Sequence, residues 1–233
     1  MGATVNGAVA ASEAAPDRTM FWGGLLLAVG SLGVVATSIC YGISPPDAAM
    51  PQAMIDLSAA ADGAVKGVVT MRLAGLFGVT GDVAITAGGF LLAMRAVGLE
   101  AGGWFLIGLS TIIFAMVDAM VGFVLTPVAI AAGATATFLA VKILFDTLFL
   151  LGTATLGAGA VLATLSSALG RRGSIVRPLA LLGLAAGVVA LATGGGSLAG
   201  VHLERYLGIG ILGGSAIFTL VGLQIALAPR LSR

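Results

Sequence analysis

Asp82, Asp118, Lys142 and Asp146 each interrupt a long apolar stretch of the sequence, where an ionised group is expensive. A charge near the centre of a bilayer costs roughly 2.5 to 3.5 kcal/mol on insertion scales, so such residues turn toward a bundle interior and pair there. Lys142 and Asp146 stand four positions apart, about 40° apart around a helix at 100° per residue, which lets them pair across one turn. Thr135, Phe149 and Thr153 fall on the same face, giving a partly polar stripe. Asp82 has Gly75, Gly78, Thr86 and Gly89 on its own face at helical spacing, the small and polar pattern of a helix-packing surface. Thr111, Asp118 and Gly122 share a face with Phe114 and Leu125, and Arg72 stands at the edge of the run that holds Asp82.

Counted inward at 1.5 Å per residue, the four groups lie at overlapping depths of about 10 to 20 Å, so one cluster is geometrically possible. It would set three carboxylates against one lysine, or against Lys142 and Arg72 together, and in a medium of low dielectric three such carboxylates cannot all stay ionised. A buried carboxyl that gains and loses a proton is the working part of a proton-coupled transporter. The competing reading is a static salt bridge, Lys142 with Asp146 or Asp118, that fixes helix register.

Little else in the chain suggests chemistry. One cysteine, Cys40, excludes an intramolecular disulfide, and one histidine, His202, excludes a bis-histidine haem pair built from this chain alone. A lone loop histidine is ordinarily solvated or capping, so neither a metal nor a cofactor is expected. There is no HExxH, GxSxG, CxxC or phosphate-binding glycine loop, which speaks against an enzyme. With no basic run interleaved with aromatics, nucleic acid is not an expected partner.

The elements that must position these residues follow from composition. Hydrophobic residues make up 59% of the chain and charged ones 9%, with a mean hydropathy of +1.13; 11 basic and 10 acidic side chains over 233 residues cannot solvate the outside of a soluble fold. The chain therefore reads as an all-α polytopic transmembrane bundle. Runs long enough to cross roughly 30 Å of hydrocarbon fall at about 20–41, 73–94, 104–125, 138–158, 179–199 and 206–227. They make one bundle over 20–227, with 1–19 and 228–233 as cytoplasmic ends. Pro45, Pro46 and Pro51, Gly102 and Gly103, Pro127 and Gly133, and Gly170 to Pro178 break the connections. The N-terminal segment lacks the basic residues of a signal peptide, so the first run is expected to remain as a helix.

Short cytoplasmic loops retain lysine and arginine. Arg18, Arg95, Arg171, Arg172, Arg177, Arg230 and Arg233 lie on the side of both termini, against Lys66, Arg72 and Arg205 on the other. Both ends are thus expected inside a bacterial-type plasma membrane. Trp22 and Trp104, with Phe21 and Phe105, are expected at the cytoplasmic interface as an aromatic belt. Residues 50–66 carry apolar positions at helical spacing, either as an amphipathic helix on the membrane surface or as one packed over the bundle mouth. Thr193 to Ser197 reads as a helix end or as a break lining a site.

The 36 glycines signal close helix packing, at Gly75, Gly78 and Gly89 and at the small-xxx-small pairs Gly183/Gly187 and Gly210/Gly214. Two function classes fit: a small transporter or channel subunit whose charge cluster lines a path, and a non-catalytic subunit of a larger membrane complex. Six short helices favour a homo-oligomer or other membrane subunits as partners beside the lipid bilayer.

Overall fold

The computed structural model describes residues 17–44, 56–170, 173–203 and 206–231, which fold entirely as helices. Six helices are long and apolar enough to cross a membrane, so the chain is a multi-pass membrane protein. They are α1 (Arg18–Gly42), α3 (Val68–Ala93), α4 (Gly98–Met120) with its continuation, α6 (Ala136–Ala168), α7 (Arg177–Leu198) and α8 (Leu207–Leu231), with the short α2 (Leu57–Lys66) between the first two. Each span packs on its sequence neighbours, and α8 returns to pack on α1, closing a six-helix ring. Neighbouring spans run antiparallel, so the start of α1, the end of α8 and the α3–α4 and α6–α7 connections share one end, called here the terminal end.

Glycine sets the helix spacing. A Cβ added at Gly24 would come 2.6 Å from the Gly222 carbonyl of α8, and one at Gly30 would come 2.5 Å from the Gly81 carbonyl of α3. Gly75 lies against Gly122, Gly89 against Gly108, Gly183 against Thr164, and Gly187 against Ala160. Gly210 and Gly214 depart from expectation: a Cβ at Gly210 would meet only Val189, at 3.7 Å, and one at Gly214 would meet nothing within 4 Å. The reason is that α8 leans on α1 and makes a much thinner seam with α7.

Two spans outrun their apolar cores. The third does not stop at Leu125; it passes through a π-helical turn (Val121–Leu125) into α5 (Thr126–Ala132). Pro127 has no N–H to donate and its ring crowds the carbonyl one turn back, and the wider π turn absorbs that conflict. The helix ends instead at Gly133, where φ is +58°. The fourth runs to Ala168, ten residues past its expected end, because Gly159 and Ala163 continue the contact with Gly103 of α4.

Of the 50–66 segment, residues 56–66 are described; 50–55, with Pro51, lie outside the described residues, as do 1–16 and 232–233 of the ends, Pro45 and Pro46, and Arg171, Arg172 and Arg205. Helix α2 buries Ala60, Ala61 and Ala64 against the bundle, and the Thr126 hydroxyl donates to the Ala64 carbonyl at 3.0 Å, so it packs over the bundle end. Thr193 to Ser197 stays helical within α7, which ends at Leu198. Trp22 and Phe105 are half exposed, but Trp104 is fully buried, not at the interface: its neighbours Gly103 and Gly108 let α4 lie close to α6 and α3, turning the indole inward.

Candidate functional site

The ring is solid at one end and hollow at the other. Toward the terminal end Leu27, Leu92, Trp104, Ala163, Val221 and Ile225 fill the interior as a continuous apolar core. From the level of Ser31, Ile85, Leu156 and Phe218 onward, α1, α3, α4, α6 and α8 surround a cavity of about 600 Å³ that reaches Gly42, Ser44 and Gly208 at the opposite end. That volume falls within the roughly 300 to 1,000 Å³ typical of small-molecule sites. The hollow follows from residue size, since α1 and α8 present Ser31, Thr37, Ser38, Gly208 and Ser215 to it where larger side chains would meet.

Asp82 and Asp118 both line the cavity, 2% and 6% exposed, with their carboxyls facing each other at hydrogen-bonding range. Asp82 sits near the midpoint of α3, about 20 Å from Val68 at 1.5 Å per residue. Asp118 fits because Gly78 has no side chain, and any Cβ there would overlap the Asp118 carboxyl. The π turn begins one residue beyond Met120, so this carboxyl stands at the point where the α4 helix changes pitch. Such turns occur frequently at functional sites.

Tyr41, near the end of α1, donates its hydroxyl to Asp118 Oδ1 at 2.6 Å. Most other wall hydroxyls return to backbone: Thr37 donates to the Ala74 carbonyl at 3.1 Å, Ser38 to Val34 at 2.9 Å and Ser215 to Ile211 at 2.8 Å. Two wall atoms do not. Asp82 Oδ2 and Ser31 Oγ are buried and have no hydrogen-bond partner among the described residues. Buried polar atoms are almost always partnered, and a proton shared with Asp118 is the partner within reach of the Asp82 carboxyl.

Lys142 and Asp146 form a separate site. Lys142 Nζ meets Asp146 Oδ1 at 2.5 Å and lies 5.2 Å from the Phe145 ring centroid. Neither residue lines the cavity; contact runs from Lys142 through Phe145 to Phe149, and only Phe149 reaches the wall. Arg72 is exposed on α3 and does not join either group. These four charges thus divide into a like-charged pair facing the hollow and an opposite-charged pair packed beside it.

Tyr41 and Ser31 were not singled out from sequence. Their signal was present as Ser31, Thr37, Ser38 and Tyr41, a polar stripe at helical spacing along the first span. Glu100 was also passed over: it is 6% exposed at the terminal end, where it accepts from Trp104 Nε1 at 3.4 Å and from the Ser174 hydroxyl. Gln224 of α8 donates to the Ser174 carbonyl at 3.2 Å, so these groups tie the α6–α7 connection to α4 and α8. Among the described residues no three His, Cys, Asp or Glu side chains converge as metal ligands. No family model matches the chain, and no curated protein or solved structure matches it.

Proposed function

We propose that this protein is a small membrane transporter whose central cavity holds the solute and whose Asp82–Asp118 pair handles protons. The observation that carries this reading is the pairing of two buried carboxyls on the wall of a half-bundle cavity, with Asp82 Oδ2 left unpartnered. Two carboxyls in hydrogen-bonding range need a proton between them, and their exchange with the cavity gives a route for coupling proton movement to solute movement. Both termini are placed on the cytoplasmic side, following the arginine distribution. The cavity then faces outward, and the apolar core below it is the closed gate of an alternating-access cycle.

The test is reconstitution into liposomes with a trapped pH-sensitive dye and a panel of external amines, organic anions, sugars and amino acids. Solute-dependent proton flux that disappears in Asp82→Asn/Asp118→Asn is the expected result. No flux with any solute, together with isolation of the chain in a fixed ratio with another membrane protein, would replace this reading by that of a non-catalytic subunit. The thin α7–α8 seam and the bare Gly210 and Gly214 surface favour that second role, since a partner helix would find close backbone access there.

A further inference from the structure

The wall of the cavity specifies the charge of its occupant. The titratable groups on it are Tyr41 from α1, Asp82 from α3 and Asp118 from α4; α6 contributes Phe149 and Leu156, and the α8 residues on the wall are uncharged. No lysine, arginine or histidine lines it among the described residues. An anion would meet two carboxyls with no counter-charge, and a neutral solute would leave the pair's charge uncompensated in an apolar enclosure. A small metal ion held by the two carboxyls would keep most of its water shell, against a wall that is otherwise largely apolar. The remaining wall is apolar and aromatic, with Phe114 and Phe149 edge to face at 5.8 Å and Phe218 deeper in. Aromatic faces attract desolvated organic cations.

Resting on the reading of the cavity as the solute site, we infer that its occupant is a lipophilic organic monocation, a bulky amine or quaternary onium ion, which competes there with a proton. The charges balance simply. With one shared proton the Asp82–Asp118 pair carries one negative charge, which matches a monocation. A second proton neutralises the pair and releases the cation; conversely, a cation entering the doubly protonated pair expels one proton to solvent. The carboxyl pair supplies the charge, Ser31 lines the deep end, and the phenylalanines enclose the apolar substituents.

Tetraphenylphosphonium is the probe, with binding to the full chain in detergent measured by equilibrium dialysis between pH 4 and 9. Saturable binding is expected that weakens about tenfold per pH unit on its acid limb, the slope of a one-proton competition. Asp82→Asn/Asp118→Asn removes the pair's negative charge and should lower affinity by at least about tenfold and abolish its pH dependence, whereas either single variant keeps one ionisable carboxyl and the one-proton slope. Uncharged triphenylphosphine oxide should fail to displace the probe in the unaltered protein, a readout that does not depend on any variant folding. Equal displacement by the neutral compound, absence of binding, or affinity independent of pH would overturn the inference. Proton flux driven by another solute without phosphonium binding refutes the cation class alone, whereas phosphonium binding without flux of any solute refutes transport alone.

Discussion

The Asp82–Asp118 pair and the Lys142–Asp146 pair are both buried in the same bundle, and they solve the cost of burial in opposite ways. Lys142 and Asp146 neutralise each other across one helical turn and pack against Phe145, away from the hollow. Asp82 and Asp118 come from two helices, carry the same sign, and face a cavity with one carboxyl oxygen unpartnered. The opposite-charged pair fits the static role of fixing helix register. The like-charged pair has the Tyr41 hydroxyl on Asp118 and open space beside it, which suits the proton exchange proposed above.

The sharpest way to break this contrast is to remove one member of the satisfied pair. Lys142→Met leaves the Asp146 carboxylate buried without its ammonium and should destabilise the protein by about 3 to 5 kcal/mol. The double variant Lys142→Met with Asp146→Leu should recover most of that, since replacing both members of a buried pair by apolar groups is often neutral. Thermal unfolding in detergent, followed by Trp104 fluorescence, reads both. Equal loss in the single and double variants would mean that the pair does more than hold structure.

Asp82→Asn/Asp118→Asn should have the reverse profile, with unfolding close to that of the unaltered protein and solute-dependent proton flux abolished. An amide at position 118 still accepts from Tyr41, but neither position can gain or lose a proton. Tyr41→Phe removes the 2.6 Å bond to Asp118; a hydrogen bond to a charged group contributes about 1.5 to 3 kcal/mol, and its loss favours the protonated carboxyl, so a drop in phosphonium affinity of about tenfold or more is expected with flux retained. Ser31→Ala is the mildest. Its hydroxyl has no partner to lose, so stability should hold or rise slightly while affinity falls about twofold to threefold, of the order of one weak neutral hydrogen bond.

How much of this was legible in sequence differs between the same two sites. Lys142 and Asp146 are neighbours on one helix, so their spacing alone implied the bond. The meeting of Asp82 with Asp118 depends on how α3 and α4 register, which Gly78 sets by leaving room for the carboxyl, and a single chain's hydropathy carries no register. The six spans were readable because lipid imposes length and apolarity on each. Their ends were not: Pro127 looked like a stop until a π turn accommodated it, and α6 extends through residues whose role is contact with α4. Trp104 misled for a related reason, since its place near a span end suggested an interface although glycine neighbours draw it into the core. Ring closure by α8 on α1, which creates the cavity, is a long-range contact that local periodicity does not encode.

The most direct test compares the two pairs in one assay. Liposomes carrying the Asp82→Asn/Asp118→Asn protein and liposomes carrying the Lys142→Met/Asp146→Leu protein are given the same pH gradient and the same panel of solutes, with the amount of folded protein matched. Solute-dependent proton flux should vanish in the first and persist in the second. Persistence in the first with loss in the second would assign the chemistry to the wrong pair and leave the cavity carboxyls a structural role.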